Sequence, residues 1–166
     1  MSRTTLIHAG WILPMANEPV VLREHALVLK DSRIEAIVTA EEAKSVVADE
    51  VLHLPQHVLM PGLVNLHGHS AMTLLRGLAD DLALMDWLNN HIWPAEGKHV
   101  SDAFVHDGSV LAMAEMLLGG TTTINDMYFY HGAVARASLK AGMRTFVGCS
   151  ILEFPTNYAQ SSAQYI

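Results

Sequence analysis

The sequence predicts an α/β protein: the N-terminal part of a (β/α)8 TIM-like barrel, preceded by a small β unit and incomplete within 166 residues. Three observations carry this reading. Short Val-, Ile- and Leu-rich runs precede Met60, apolar strand-like runs alternate with longer helical patterns after Gly62, and the chain is too short to finish the barrel. Sequential, almost wholly apolar strands joined by helices are what a parallel sheet covered on its faces requires. A complete eightfold barrel takes about 250 residues, whereas about 105 remain from Gly62 onward.

The first unit, residues 1–59, contains strand-like runs at Leu6 to Leu13, Val20 to Lys30 and Arg33 to Val38, broken by Pro, Asn and Asp-Ser. Thr39 followed three positions later by Glu42 is a capping-box pattern, which predicts a short helix over Ala40 to Val46 before a strand around Val51 to Leu54. The second unit, residues 60–166, opens with a strand at Leu63 to His67 and continues with helices near Leu82 to His91 and Ser101 to Leu118. A strand at Thr121 to Met127, a helix near Gly132 to Ala141 and a strand at Arg144 to Ile151 follow, giving β-α-β-α-β. The ending Tyr158 to Ile166 carries no cap or terminal helix pattern and reads as a chain cut after the third strand of the barrel.

Composition narrows the function classes. Half of the chain is apolar, enough for a folded core, and the formal charge of −7 argues against a nucleic-acid surface. The N-terminus lacks the apolar stretch of a signal peptide, no run reaches a membrane-spanning length, and the single Cys149 can form no internal disulfide. A soluble cytoplasmic protein, with neither nucleic acid nor membrane as partner, is expected. Cys149 lies within an apolar strand and reads as a small buried hydrophobe.

The chemistry centres on His67-Gly68-His69, directly after the apolar strand. Side chains at i and i+2 of a strand point to the same side, so two imidazoles converge where barrel enzymes place their catalytic groups. A catalytic zinc takes about three protein ligands with a water left over, and this pair could supply part of such a set. An isolated H-x-H is weak evidence, since ten histidines in 166 positions produce about half an occurrence by chance; a structural turn is the alternative. The remaining eight histidines show no convergent spacing. Asp80 and Asp81 read as a solvated or capping pair, and Asp126, at the end of a strand, as a loop cap.

Met60-Pro61-Gly62-Leu63-Val64-Asn65-Leu66-His67-Gly68-His69, after a small β unit, resembles the entry segment of the amidohydrolase superfamily. The stretches from Met72 to Leu82, Leu84 to Leu88 and Ile92 to Glu96, and again Gly119 to Met127, are similar to the branch of 5-methylthioadenosine/S-adenosylhomocysteine deaminases and the related triazine hydrolases. This resemblance implies a β-sandwich segment before the barrel, one divalent ion per subunit, Zn2+, held in part by His67 and His69, and a small-molecule nucleoside substrate. It implies that Trp87 packs against the ligand and that Glu96 binds the ribose hydroxyls. Trp87 also fits plain packing on an apolar stripe with Leu84 and Leu88, and Glu96 fits a first-turn residue favoured by the helix dipole. The later histidines, the glutamate proton shuttle and the bridging aspartate of the family lie on strands this chain does not reach, so no catalytic proton-transfer residue is expected among the 166. The branch often carries an arginine just after the third strand. Phe146 to Pro155 has none, which tilts the expectation from S-adenosylhomocysteine toward methylthioadenosine. Assembly into a homo-oligomer is compatible with the family. Guanine or triazine hydrolysis, or a truncated chain without catalysis, are the alternatives; cytidine-type zinc deaminases need a P-C-x-x-C that one cysteine cannot supply.

Overall fold

The structure, a computed structural model, describes residues 2–16 and 18–165. The chain divides into two compact units, residues 1–61 and 62–166.

The first unit is a four-stranded sheet in the order β3-β2-β1-β4, with β1 at Thr4–Ile12, β2 at His25–Lys30, β3 at Arg33–Thr39 and β4 at Glu50–Leu59. β1, β2 and β3 pair antiparallel, and β4 runs parallel to β1. The expected second strand is shorter than its apolar run: Leu22 makes only an isolated bridge to Ile12, and Glu24, at φ 55°, precedes regular pairing from His25. Between β3 and β4 the capping box forms as expected, with Thr39 and Glu42 exchanging side-chain-to-backbone bonds of 3.3 and 2.8 Å. Its helix α1 is one turn, Ala40–Ala43. Leu6, Ala26, Val28 and Ala43 form the small core. Where the β1/β4 register shifts, Gly10 is required, because a Cβ there would lie 2.2 Å from the Pro55 carbonyl oxygen.

The second unit has the expected α/β character. β5 (Leu63–Gly68), β6 (Thr121–Tyr128) and β7 (Arg144–Cys149) form a parallel sheet in chain order. After β5 come a 3-10 turn at Ser70–Leu75, a short helix α2 at Leu84–Trp87, a π-helical segment at Leu88–Ile92 and α3 at Trp93–His99. The expectation of one helix near Leu82 to His91 is therefore corrected. Pro94 has no N–H and its ring crowds the carbonyl four residues back, so a regular α-helix cannot run through it, and a wider π turn leads into α3 with the proline in its first turn. The long helix α4, Asp102–Leu118, is capped by Ser101, and its buried residues Val105, Gly108, Ser109, Ala112 and Met113 fall at helical spacing. α5, His131–Ala141, buries Ala133, Val134, Ala137 and Ser138 and ends at Gly142, whose φ of 70° suits glycine.

These helices cover one face of the central strand, where Ile124, Asp126 and Tyr128 alternate as buried positions. The core joins Ile124 and Tyr128 to Ala71, Val105, Met113 and Val134. Leu66 on β5 and Phe146 on β7 are 74% and 69% exposed. Cys149 is likewise exposed, against the expectation of a buried residue, because β7 pairs only with β6 among the described strands. No helix among the described residues is long and apolar enough to cross a membrane.

Candidate metal-binding and active site

The strand β5 delivers His67 and His69 through an irregularity. Its pairing with β6 is regular at Asn65, breaks, and resumes with Gly68 opposite Asp126. The two imidazoles stand at the C-terminal end of the sheet with ring centroids 5.0 Å apart at 82°. His69 Nδ1 lies 2.5 Å from the Met127 carbonyl oxygen. Since a carbonyl only accepts, Nδ1 must carry the proton, which leaves Nε2 with its lone pair available. That is how a histidine ligand is oriented by an outer partner. The pair thus fits two positions of a zinc set, while no group of three or more His, Cys, Asp or Glu able to hold a metal occurs among the described residues.

Asp126 is fully buried beside this turn, and its Oδ2 accepts the Ser70 backbone N–H at 2.8 Å. Its Oδ1 has no hydrogen-bond partner among the described residues. Burial raises its pKa, opposed by Ser70 and by His69. The capping role expected for it is what the geometry displays.

Glu96 sits in the first turn of α3, half-buried, and accepts a hydrogen bond from the Tyr128 hydroxyl at 2.7 Å. Burial raises its pKa, while the Tyr128 bond and His69 act the other way. The phenol itself is pushed up by burial and by the neighbouring carboxylate. One carboxylate oxygen is therefore engaged and the group is held in place, with the other oxygen free of protein donors among the described residues. Asn157, from the segment after β7, donates to the carbonyl oxygens of Glu96, Gly97 and Val100 at 3.1, 2.8 and 3.3 Å, tying that segment to the end of α3.

His69, Trp87, Trp93, Glu96 and Tyr128 share one cavity of about 230 Å³. The fold thus brings together three of the four expected residues, Trp87, Glu96 and His69, with His67 adjoining through His69. A second cavity of about 570 Å³ shares Trp93, Glu96, Phe129 and Leu152 with the first and extends to Phe154 and Pro155. Its described walls include no Lys, Arg or His. The sequence reading missed Tyr128 and the Met127 carbonyl. Both follow Asp126 at the mouth of β6, so position at a strand's C-terminal end was the signal that could have found them.

Comparison with known proteins adds to this geometry. Residues 58–165 match the amidohydrolase family. The chain is 50% identical over 162 residues to a 5-methylthioadenosine/S-adenosylhomocysteine deaminase of Saccharophagus degradans, covering 97% of this chain and 36% of that protein. A solved adenosine deaminase from Xanthomonas campestris with bound zinc superimposes with a TM-score of 0.93 at 44% identity, over 97% of this chain and 37% of that one. A triazine hydrolase from Arthobacter aurescens, at TM-score 0.79 and 18% identity over 87% of this chain and 35% of that one, is alike in fold alone. The chain spans little more than a third of the length of these relatives.

Proposed function

Because the chain belongs to the amidohydrolase family, we propose that it is the N-terminal part of a zinc-dependent hydrolase that deaminates adenosine-type nucleosides to their inosine analogues and ammonia. The observation that carries this reading is one cavity in which His69, with its Nδ1 proton fixed and His67 beside it, faces a carboxylate and an indole. Residues 1–59 are then part of a β-sandwich, and residues 60–166 are the first units of a (β/α)8 barrel. The remaining ligands and the proton shuttle lie elsewhere in the longer protein, which works in the cytoplasm, as a homo-oligomer in one form the family allows.

Bound zinc supplies Lewis acidity and brings the ionisation of water toward neutrality, the property hydrolysis at C6 of a purine requires. His67 and His69 would hold the ion. Glu96, its carboxylate steadied by Tyr128, accepts hydrogen bonds from the vicinal ribose hydroxyls, and Trp87 lays its ring against the nucleoside. The second cavity takes the 5′ substituent. Its walls are mainly apolar, with Glu96, Thr156, Asn157 and Gln160 as polar members and no basic side chain among the described ones, so it favours a short thioether over a tail ending in a carboxylate.

Ammonia release by the complete enzyme from 5′-methylthioadenosine, adenosine, S-adenosylhomocysteine and guanine, with chloride release from a chlorotriazine, tests this. Turnover of the adenine nucleosides, methylthioadenosine ahead of S-adenosylhomocysteine, is expected. Turnover of guanine or the triazine alone would contradict it, and equal turnover of the two thioethers would remove the claim about the second cavity.

A further inference from the structure

We propose that Asp126 is a positioning residue for the His67/His69 pair, holding the turn after β5 so that both imidazoles stay aimed at one point. This rests on reading the pair as metal ligands. The turn needs an external hold. The β5/β6 register fails between Asn65 and Gly68, and His69, at φ −129° and ψ 70°, leaves strand geometry and opens a 3-10 turn without a capping side chain of its own. Unpaired N–H groups at the start of such a turn must find acceptors elsewhere. Asp126 supplies one from a strand 56 residues away, accepting the Ser70 N–H at 2.8 Å. Its neighbour Met127 takes the His69 imidazole. Two consecutive residues of β6 therefore grip residues 69 and 70, one through the main chain and one through the ring.

Packing brings the two strands close enough for this grip. A Cβ at Gly68 would come within 2.6 Å of Ile124 Cδ1, so glycine lets the turn lie against β6, where Asp126 can reach it, without displacing that buried side chain. Asp126 is 0% exposed. A buried carboxylate with a single partner among the described residues is costly compared with an apolar residue of similar size, so mere space filling does not account for it. What the carboxylate adds is a directional, charge-assisted bond to the main chain beside a candidate ligand.

Zinc affinity of the complete enzyme, measured by competition with a chelator, tests the assignment together with the absorption spectrum of the cobalt-substituted form. Asp126→Ala should weaken zinc binding about 10- to 100-fold and shift the cobalt spectrum. Asp126→Asn, which keeps an acceptor but not the charge, should fall between that variant and the wild type. Unchanged zinc affinity and cobalt spectrum in Asp126→Ala would overturn the assignment, and so would an unchanged Asn variant should the Ala variant not fold. His69→Ala separates the two readings. If it abolishes zinc binding while Asp126→Ala leaves affinity intact, only the positioning role fails; if it leaves zinc binding unchanged, the metal reading of the pair fails first.

Discussion

Glu96 is the residue on which the nucleoside reading turns, and its environment sets the size of the effect expected from changing it. Its carboxylate is half-buried and held by a 2.7 Å bond from Tyr128, so little reorganisation is needed to meet a diol. Glu96→Gln keeps the shape but loses charge-assisted hydrogen bonds worth about 1.5 to 3 kcal/mol, or about one to two decades in kcat/KM. The wild type is expected to discriminate between a ribonucleoside and its 2′-deoxy analogue, and the variant much less. Equal discrimination in both would return Glu96 to a helix-end role. Tyr128→Phe is expected to erode the same discrimination by a smaller factor, read from the same pair of substrates. The histidine motif was legible because it is local, two residues apart on one strand. The Tyr128 partnership was not, because it joins β6 to α3 across 32 positions and depends on how the two pack.

At the scale of elements, the sequence reading succeeded where a local pattern is strong and failed where chain geometry overrides periodicity. The Thr39 capping box forms, although its helix ends at Ala43 rather than Val46, and the helix expected near Ser101 to Leu118 forms over Asp102–Leu118 with Ser101 as its cap. The apolar spacing from Leu82 to His91 promised one helix, but the chain passes from α-helical to π-helical at Leu88, ahead of Pro94, and Trp87 and Glu96 now flank the π-helical segment. Close packing of α4 also yields a stability test. A Cβ at Gly108 would come within 2.6 Å of the Ala71 carbonyl oxygen, whereas one at Gly97 meets nothing within 4 Å. Ala is favoured over Gly inside a helix by about 1 kcal/mol, but overpacking against a backbone costs about 1 to 3 kcal/mol. In denaturant melts, Gly108→Ala is expected to destabilise the protein and Gly97→Ala to stabilise it by about 0.5 to 1 kcal/mol. Stabilisation by both substitutions would show that propensity rather than packing governs α4.

For the whole molecule, the three parallel strands carry one well-covered face, and apolar side chains such as Leu63, Val64, Leu66 and Phe146 stand exposed on β5 and β7. Surfaces of this kind associate unless covered. The 166-residue chain by itself is expected to elute as a mixture of associated species in size-exclusion chromatography and to release no ammonia from methylthioadenosine; a monodisperse, cooperatively melting monomer would contradict the first expectation and measurable turnover the second. The central claim is that His67 and His69 hold a metal on which deamination depends, and the most direct measurement is zinc content and methylthioadenosine deamination on the same preparations of the complete enzyme. The wild type should lose activity on chelation and recover it with Zn2+, in proportion to the metal restored. His67→Ala and His69→Ala should keep the wild-type far-ultraviolet circular dichroism while losing both zinc and turnover. Full turnover from a metal-free wild type, or zinc-loaded and active histidine variants, would contradict the account.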